Sequence, residues 1–162
     1  DDELEWIANR HKDERMYFKS QYADMDTLTI LEVSIHNNLD PINWGYFNTN
    51  SKEYTAYAQV RYGFKNRRNG GIMEIVKEFN GKPICFSSVL LGSNWLHNVP
   101  LKTSTLKING ASINDIMLFK NNATNTDTTD SLVNCAWRKR HGLLQYTFKD
   151  GTTFTRTDIG NY

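Results

Sequence analysis

The sequence predicts a mainly β (α+β) protein: one N-terminal helix packed on a curved antiparallel sheet or incomplete β-barrel. Three observations predict it. From about residue 26 the apolar residues recur at every second position, the period of a half-buried strand. Asn80-Gly81, Asn109-Gly110 and Asp150-Gly151 are turn signals of the kind that joins neighbouring antiparallel strands. The chain also carries 8 Phe, 8 Tyr and 4 Trp against 3 Pro, a balance that favours packed strand faces.

In chain order, residues 1–20 read as the helix. Asp2 can cap it, and Glu5 stands three positions on, as a capping box asks. Leu4, Ile7, Ala8, His11 and Phe18 lie near one face at helical spacing, with Trp6, Arg10, Asp13 and Tyr17 on a second, mixed face. The antiparallel β domain then spans 27–157, with about seven to nine strands by the usual size of such sheets. Leu31, Val33 and Ile35 alternate with Glu32, Ser34 and His36. The clearest strand is 53–64, where Tyr54, Ala56, Ala58, Val60, Tyr62 and Phe64 point one way. After a polar turn come Ile72 to Phe79, the turn at Asn80-Gly81, and Ile84 to Leu91. The last third repeats this grammar: 105–108, the Asn109-Gly110 turn, 113–119, a polar loop at 120–131, then strands at 132–139, 143–148 and 153–157. No helical pattern separates the strands, so parallel βαβ units are not expected. Residues 1–162 form a single domain on this reading.

Composition narrows the function classes. A chain of 162 residues buries roughly 70% of its unfolded surface and needs no metal or disulfide staple. Its 19 Lys+Arg and 18 Asp+Glu leave a net charge of +1, with no basic stripe to favour a nucleic-acid partner. No apolar run approaches the roughly 18 residues of a membrane span, and no signal peptide is present. The start at Asp1-Asp2 without a Met reads as a processed form or a trimmed piece.

Chemistry-bearing residues are sparse. His11, His36, His97 and His141 are widely spaced and read as ordinary half-buried or surface histidines, so no metal and no cofactor is expected. No nucleophile elbow or phosphate loop is present, and no catalytic residue is named. Cys85 and Cys135 are either one bridge or two packed thiols. The basic clusters at 61–68 and 138–141 flank turns, where such charges keep hairpin tips soluble and blunt sheet edges. Trp44 and Tyr46, in Trp44-Gly45-Tyr46-Phe47, and Trp95, after Gly92-Ser93-Asn94, are the candidate ligand-binding residues: aromatics in polar loops stack on sugars or anchor partners. Folding back onto the core is their alternative role.

One segment has a family texture. Leu106-Lys107-Ile108-Asn109-Gly110, Ile113-Asn114-Asp115-Ile116-Met117-Leu118-Phe119, Cys135-Ala136-Trp137, Gly142-Leu143-Leu144-Gln145-Tyr146 and Lys149-Asp150-Gly151 follow one another across a polar gap. Together residues 105–157, about a third of the chain, resemble the C-terminal strands of small secreted lipoproteins of Bacteroidetes-type bacteria. The resemblance implies a cell-envelope or secreted location, periplasmic or at the surface, and a binding or structural role. It also implies a lipid anchor upstream, although the lipoprotein cysteine is absent from this sequence.

Three functions follow as expectations. The first is a non-enzymatic cell-envelope domain that binds a ligand or partner, a glycan or a protein. The second is a carbohydrate-binding module using Trp44, Tyr46 and Trp95. The third is a hydrolase whose site is assembled from distant strands.

Overall fold

The computed structural model describes residues 2–7, 9–36, 55–67, 69–78, 83–90, 96–100, 102–120 and 132–159. Eleven strands run through them: β1 (Arg15–Ser20), β2 (Met25–His36), β3 (Thr55–Phe64), β4 (Gly71–Glu78), β5 (Cys85–Leu90), β6 (Leu96–Pro100), β7 (Ser104–Ile108), β8 (Ala111–Lys120), β9 (Leu132–Arg138), β10 (Gly142–Phe148) and β11 (Thr153–Arg156). All are antiparallel and belong to one sheet, ordered β6-β5-β4-β3-β2-β1-β11-β10-β9-β8-β7. The predicted mainly β character is therefore found, and so are the hairpins: each strand pairs with the next in sequence, β6 and β7 excepted.

The N-terminal helix is not formed. Residues Glu3–Trp6 make a single 3-10 turn, and Asp2 gives it no side-chain cap. The segment read as the second half of the helix is β1. Two facts explain this. The helical stripe is not one face in the fold: Leu4 and Ile7 reach the core from around the 3-10 turn and Phe18 reaches it from β1, while the His11 side chain between them is 77% exposed, and a helix of this length without a continuous buried face is marginal in water. Residues 15–20 alternate instead: Met16, Phe18 and Ser20 are buried, while Arg15, Tyr17 and Lys19 are exposed. That strand pairs on both sides, with β2 (Phe18↔Asp26) and with β11 (Phe18↔Arg156). Asp13, with φ 68°, turns the chain out of any helical path before it.

Two further departures concern the register of β2 and the presence of β6. β2 starts at Met25, and its pairing with β3 slips between Ile30 and Glu32. This bulge turns Leu31 outward, 52% exposed, so Leu28 and Ile30 line the inside before it and Val33 after it. The strand β6 lies where the sequence showed only a loop around Trp95. The turn at Asn80-Gly81 and the loop at 121–131 lie outside the described residues.

The order of strands forces the sheet to curl. β6 and β7 stand at its two ends, yet three residues separate Pro100 from Ser104. Those residues reach at most about 15 Å, whereas eleven strands laid flat place their outer members roughly 48 Å apart. Side chains confirm the curl. Phe86 of β5 meets Phe119 of β8 at 6.1 Å between ring centroids, and Tyr62 of β3 meets Trp137 of β9 at 6.3 Å. Trp6 caps this interior, edge-on to Phe86 at 5.3 Å. At the other end Tyr146 stacks on Phe154 at 5.1 Å and meets Phe64 at 5.3 Å. The inside is thus filled by rings, each pair contributing about 0.5–1.5 kcal/mol beyond the area it buries.

The hairpin β7–β8 leaves this body. Asn109 (φ 51°) and Gly110 (φ 84°) both lie in the left-handed region, as the turn of a two-residue hairpin needs. Asp115 (φ 59°) breaks the alternation within β8. Beyond it Met117 and Phe119 face the main core. Before it Ile113 joins a second core, with Ile116, Ile108, Ala136 and Leu144. Ala136 lies between the inward Cys135 and Trp137, so this second core sits on the outer face of the sheet. The hairpin is therefore folded back over the outside of β9 and β10.

Candidate functional site

The strands β1 and β11 carry two different faces in alternation. Inward go Phe18, Phe154 and Arg156; outward go Tyr17, Lys19, Thr153 and Thr155. The outward row continues into β10, where Gln145 Nε2 donates to Thr155 Oγ1 at 3.0 Å and the hydroxyls of Thr147 and Thr153 lie 3.1 Å apart. Thr157 closes the row by donating its backbone N–H to the Tyr17 carbonyl at 2.8 Å. Opposite this surface stands the folded-back hairpin, with Ile108, Asn109 and Ala111 at its tip. The space between is a cleft of about 920 Å³. Lys19, Gln21, Asn109, Thr153, Thr155 and Thr157 give it hydroxyl, amide and ammonium groups, and Ile108 and Ile159 give it an apolar wall.

Two cations belong to its lining residues, Lys19 on the outer face and Arg156, whose side chain turns inward. Arg156 is bound on both sides of its guanidinium by Asp158, Nε to Oδ1 at 2.8 Å and Nη2 to Oδ2 at 3.0 Å, and its Nη1 donates to the His141 carbonyl. Burial raises the Asp158 carboxyl, but the hydrogen bonds and charge of Arg156 outweigh it and hold the group below its ordinary value. Lys19 is exposed and has no ion-pair partner among the described residues.

Three other places are polar or open, and the two polar ones are structural by their geometry. Asp26, 2% exposed, accepts from Tyr146 Oη (3.1 Å), Arg67 Nε (3.1 Å) and the Thr27 N–H (2.8 Å). The Arg67 guanidinium lies 4.1 Å over the Phe148 ring. Burial and the Asp26 charge push the Tyr146 hydroxyl well up, so it stays a donor. This group staples the β3–β4 turn to β10. At the opposite end the basic turn 138–141 grips the N-terminal segment. Arg140 makes two hydrogen bonds to Glu5 (2.8 and 2.9 Å), Lys139 bonds Asp2, and Trp137 Nε1 donates to the Trp6 carbonyl at 2.9 Å. Beside it an apolar hollow of about 270 Å³ is lined by Leu4, Ile35, Ala56, Ala58, Ile75 and Ile84, with Glu3 and Lys77 paired at its rim.

Of the residues singled out from sequence, Trp44, Tyr46 and Trp95 lie outside the described residues. Cys85 and Cys135 are both free thiols. They sit on strands separated by six others in the sheet order. Cys135 lines the core, whereas Cys85 alternates with the inward Phe86 and Ile84. The condition for a bridge, two strands side by side, is not met. Among the described residues no group of three or more His, Cys, Asp or Glu side chains is placed to hold a metal ion, and no helix is long and apolar enough to cross a membrane.

Sequence reasoning missed the cleft because half of its floor is β1, hidden in a helical reading. Two signals were available: the alternation Met16-Tyr17-Phe18-Lys19, and the repeat Thr153-Phe154-Thr155-Arg156-Thr157, where every second residue bears a hydroxyl. The chain matches no protein family, no curated protein and no solved structure.

Proposed function

We propose that this chain is a non-enzymatic, ligand-binding domain of the cell envelope, and that its ligand site is the cleft between the β7–β8 hairpin and the outer face of β11 and β1. The observation that carries the reading is the lining of that cleft, where threonine hydroxyls and side-chain amides face an open space of about 920 Å³. Such groups recognise a partner by hydrogen bonding. We also read the curled sheet as an incomplete β-barrel packed solid by its rings, which leaves its outside for the ligand. The envelope location rests on the resemblance of residues 105–157 to secreted lipoproteins. That stretch contains β8 to β11 and nearly all of β7, and so holds both the hairpin and the β11 part of the opposite wall of the cleft. The proposed partner is a glycan or a protein, reached without nucleic acid, metal or cofactor; a lipid anchor upstream of Asp1 would hold the domain at the membrane.

An array of glycans and peptides probed with the wild-type chain and with Thr155→Trp tests the site. The expected result is a signal on the wild type that the tryptophan, set in the middle of the cleft, abolishes while the melting temperature holds. Equal signals from both proteins would remove the cleft from consideration. Fractionation of cells carrying the full coding sequence tests the location: recovery in the cytosol would end the envelope reading.

A further inference from the structure

We propose that the cleft takes an acidic oligosaccharide, with Lys19 as the contact for the anionic group on the sugar. This rests on the reading of the cleft as the ligand site and adds the chemical class of the ligand.

Three features of the surface converge on it. The hydroxyls of Thr153, Thr155 and Thr157 repeat at every second residue of one strand run, a spacing of roughly 6.8 Å; Asn109 lines the facing hairpin, while the Gln21 amide is taken up by the Gly151 carbonyl and the Thr153 N–H. A hydroxyl can both donate and accept; the Thr157 hydroxyl donates to the Tyr17 carbonyl and Thr155 Oγ1 accepts from Gln145, and the capacity that remains along the row suits a ligand that itself presents hydroxyls in series. Tyr17 stands on the same outer face beside Thr157, 42% exposed. Its ring offers a sugar the apolar face that aromatic side chains use in such contacts. The third feature is charge. The described residues lining the cleft include two cations, Lys19 and the inward-turned Arg156, and no carboxylate. Arg156 is held by Asp158. Asp24, in the β1–β2 turn, accepts from the Ser20 hydroxyl at 3.1 Å. Lys19 is left as a positive charge with no counter-ion among the described residues, at the edge of a hydroxyl-rich floor. A neutral glycan would leave that ammonium unused; a sugar carrying a carboxylate or an ester anion answers it.

The test is titration calorimetry of the whole chain with a galacturonic-acid hexamer and with the same hexamer fully methyl-esterified. A sulfated galactan hexamer, run beside them, tells a carboxylate from an ester anion. We expect the acid hexamer to bind at least about tenfold more tightly than its ester, as a hydrogen bond to a charged group implies, and to weaken as salt is added. Lys19→Gln should bring the acid hexamer down to the affinity of the ester at unchanged melting temperature, while Lys65→Gln, on the β3–β4 turn, changes nothing. If the sulfated hexamer alone binds in a Lys19-dependent manner, the anion is an ester and the proposal holds. Equal affinity for acid and ester, both abolished by Thr155→Trp, overturns the acidic class and leaves the cleft as the site. Failure of every hexamer to bind, or binding indifferent to Lys19→Gln, overturns the proposal. So does Lys19-dependent sedimentation with phosphatidylglycerol vesicles in the absence of any hexamer binding, which would make the partner a lipid surface.

Discussion

The inner and outer faces of β1, β10 and β11 are made by the same strands and obey different rules. Inside, Phe18, Tyr146, Phe148 and Phe154 form one ring cluster, and the polar groups that enter it, Asp26 and the Tyr146 hydroxyl, are bonded to each other. Outside, Tyr17, Lys19, Thr153 and Thr155 meet water or the open cleft. Neighbouring residues one peptide apart thus serve different ends, because successive side chains of a strand point to opposite faces. The inner set determines whether the sheet curls; the outer set is free to vary in chemistry without disturbing it. Substitutions on the two faces should therefore separate cleanly.

The largest effect is expected inside, at Trp137. Its side chain is fully buried, and its Nε1 holds the Trp6 carbonyl. Trp137→Ala should lower stability by about 3–5 kcal/mol, read as a shift in the urea midpoint, and should loosen the N-terminal segment in hydrogen exchange. A loss under about 1 kcal/mol would show that the inside is not the close-packed core described.

Next comes the Asp26 staple. Asp26→Ala leaves the Tyr146 hydroxyl and the Arg67 Nε without their acceptor. Since Arg67 keeps a quarter of its side chain exposed, the expected cost is about 1–3 kcal/mol. A double-mutant cycle with Tyr146→Phe should show coupling between the two positions. Strict additivity would mean that the hydrogen bond between them contributes nothing.

The cysteines sharpen the same comparison by reactivity. Burial pushes the Cys135 thiol up to about 12, so it should stay inert to a thiol reagent near neutral pH, since the thiolate is the reacting form. Cys85, half-buried on the other face of its strand, should react first. Titration is expected to find one thiol in the native protein and two after unfolding without reductant. Two native thiols of equal rate, or none on unfolding, would contradict the inside and outside assignments.

The smallest effects concern pH and the outer row. Burial lowers the pKa of His141, and Arg138, Arg156 and Arg10 lower it further, against a partial counter-effect from its bond to the Lys139 carbonyl. A base whose folded value lies below its unfolded 6.5 takes up fewer protons folded than unfolded. Its contribution is complete above 6.5 and is lost as pH falls toward the folded value. The Asp158 carboxyl, also held below its ordinary 3.8, adds stability that is lost only lower, as pH falls from 3.8 through its folded value. On acidification the wild type should therefore lose the His141 contribution first, as pH falls from 6.5 toward its folded value, and the carboxylate contributions, of which Asp158 is one and Asp2, Glu3, Glu5 and Asp150 are others, only at lower pH; His141→Gln should remove the earlier loss. Thr155→Val, on the outer face, should stay within about 0.5 kcal/mol of wild type.

How much of this was legible varies along the chain in a physical way. β3, β4 and β11 were readable because each carries its own alternation, β8 to β10 because they are short apolar-rich runs bounded by polar turns, and Asn109-Gly110 and Asp150-Gly151 mark turns through a backbone preference that needs no partner. β1 was unreadable for the opposite reason. Leu4, Ile7 and Phe18 satisfy a helical period by chance, and only the neighbours β2 and β11 decide that Arg15–Ser20 is extended. β6 gave no local signal either. The candidate site was the least legible part, since Lys19 and Thr155 are 136 positions apart and become cross-strand partners only through the pairing of β1 with β11.

By itself, then, the sequence determined the mainly β character, the antiparallel hairpins and most strand positions, all of which depend on side-chain period and turn preference within a few residues. The tertiary structure alone decided that the first and last strands meet in the middle of the sheet, that the ends of the sheet curl toward each other, and that the β7–β8 hairpin folds back to leave a cleft. Those outcomes depend on hydrogen bonds and buried contacts between residues distant in the chain, and no local pattern records which distant strand a given edge will find.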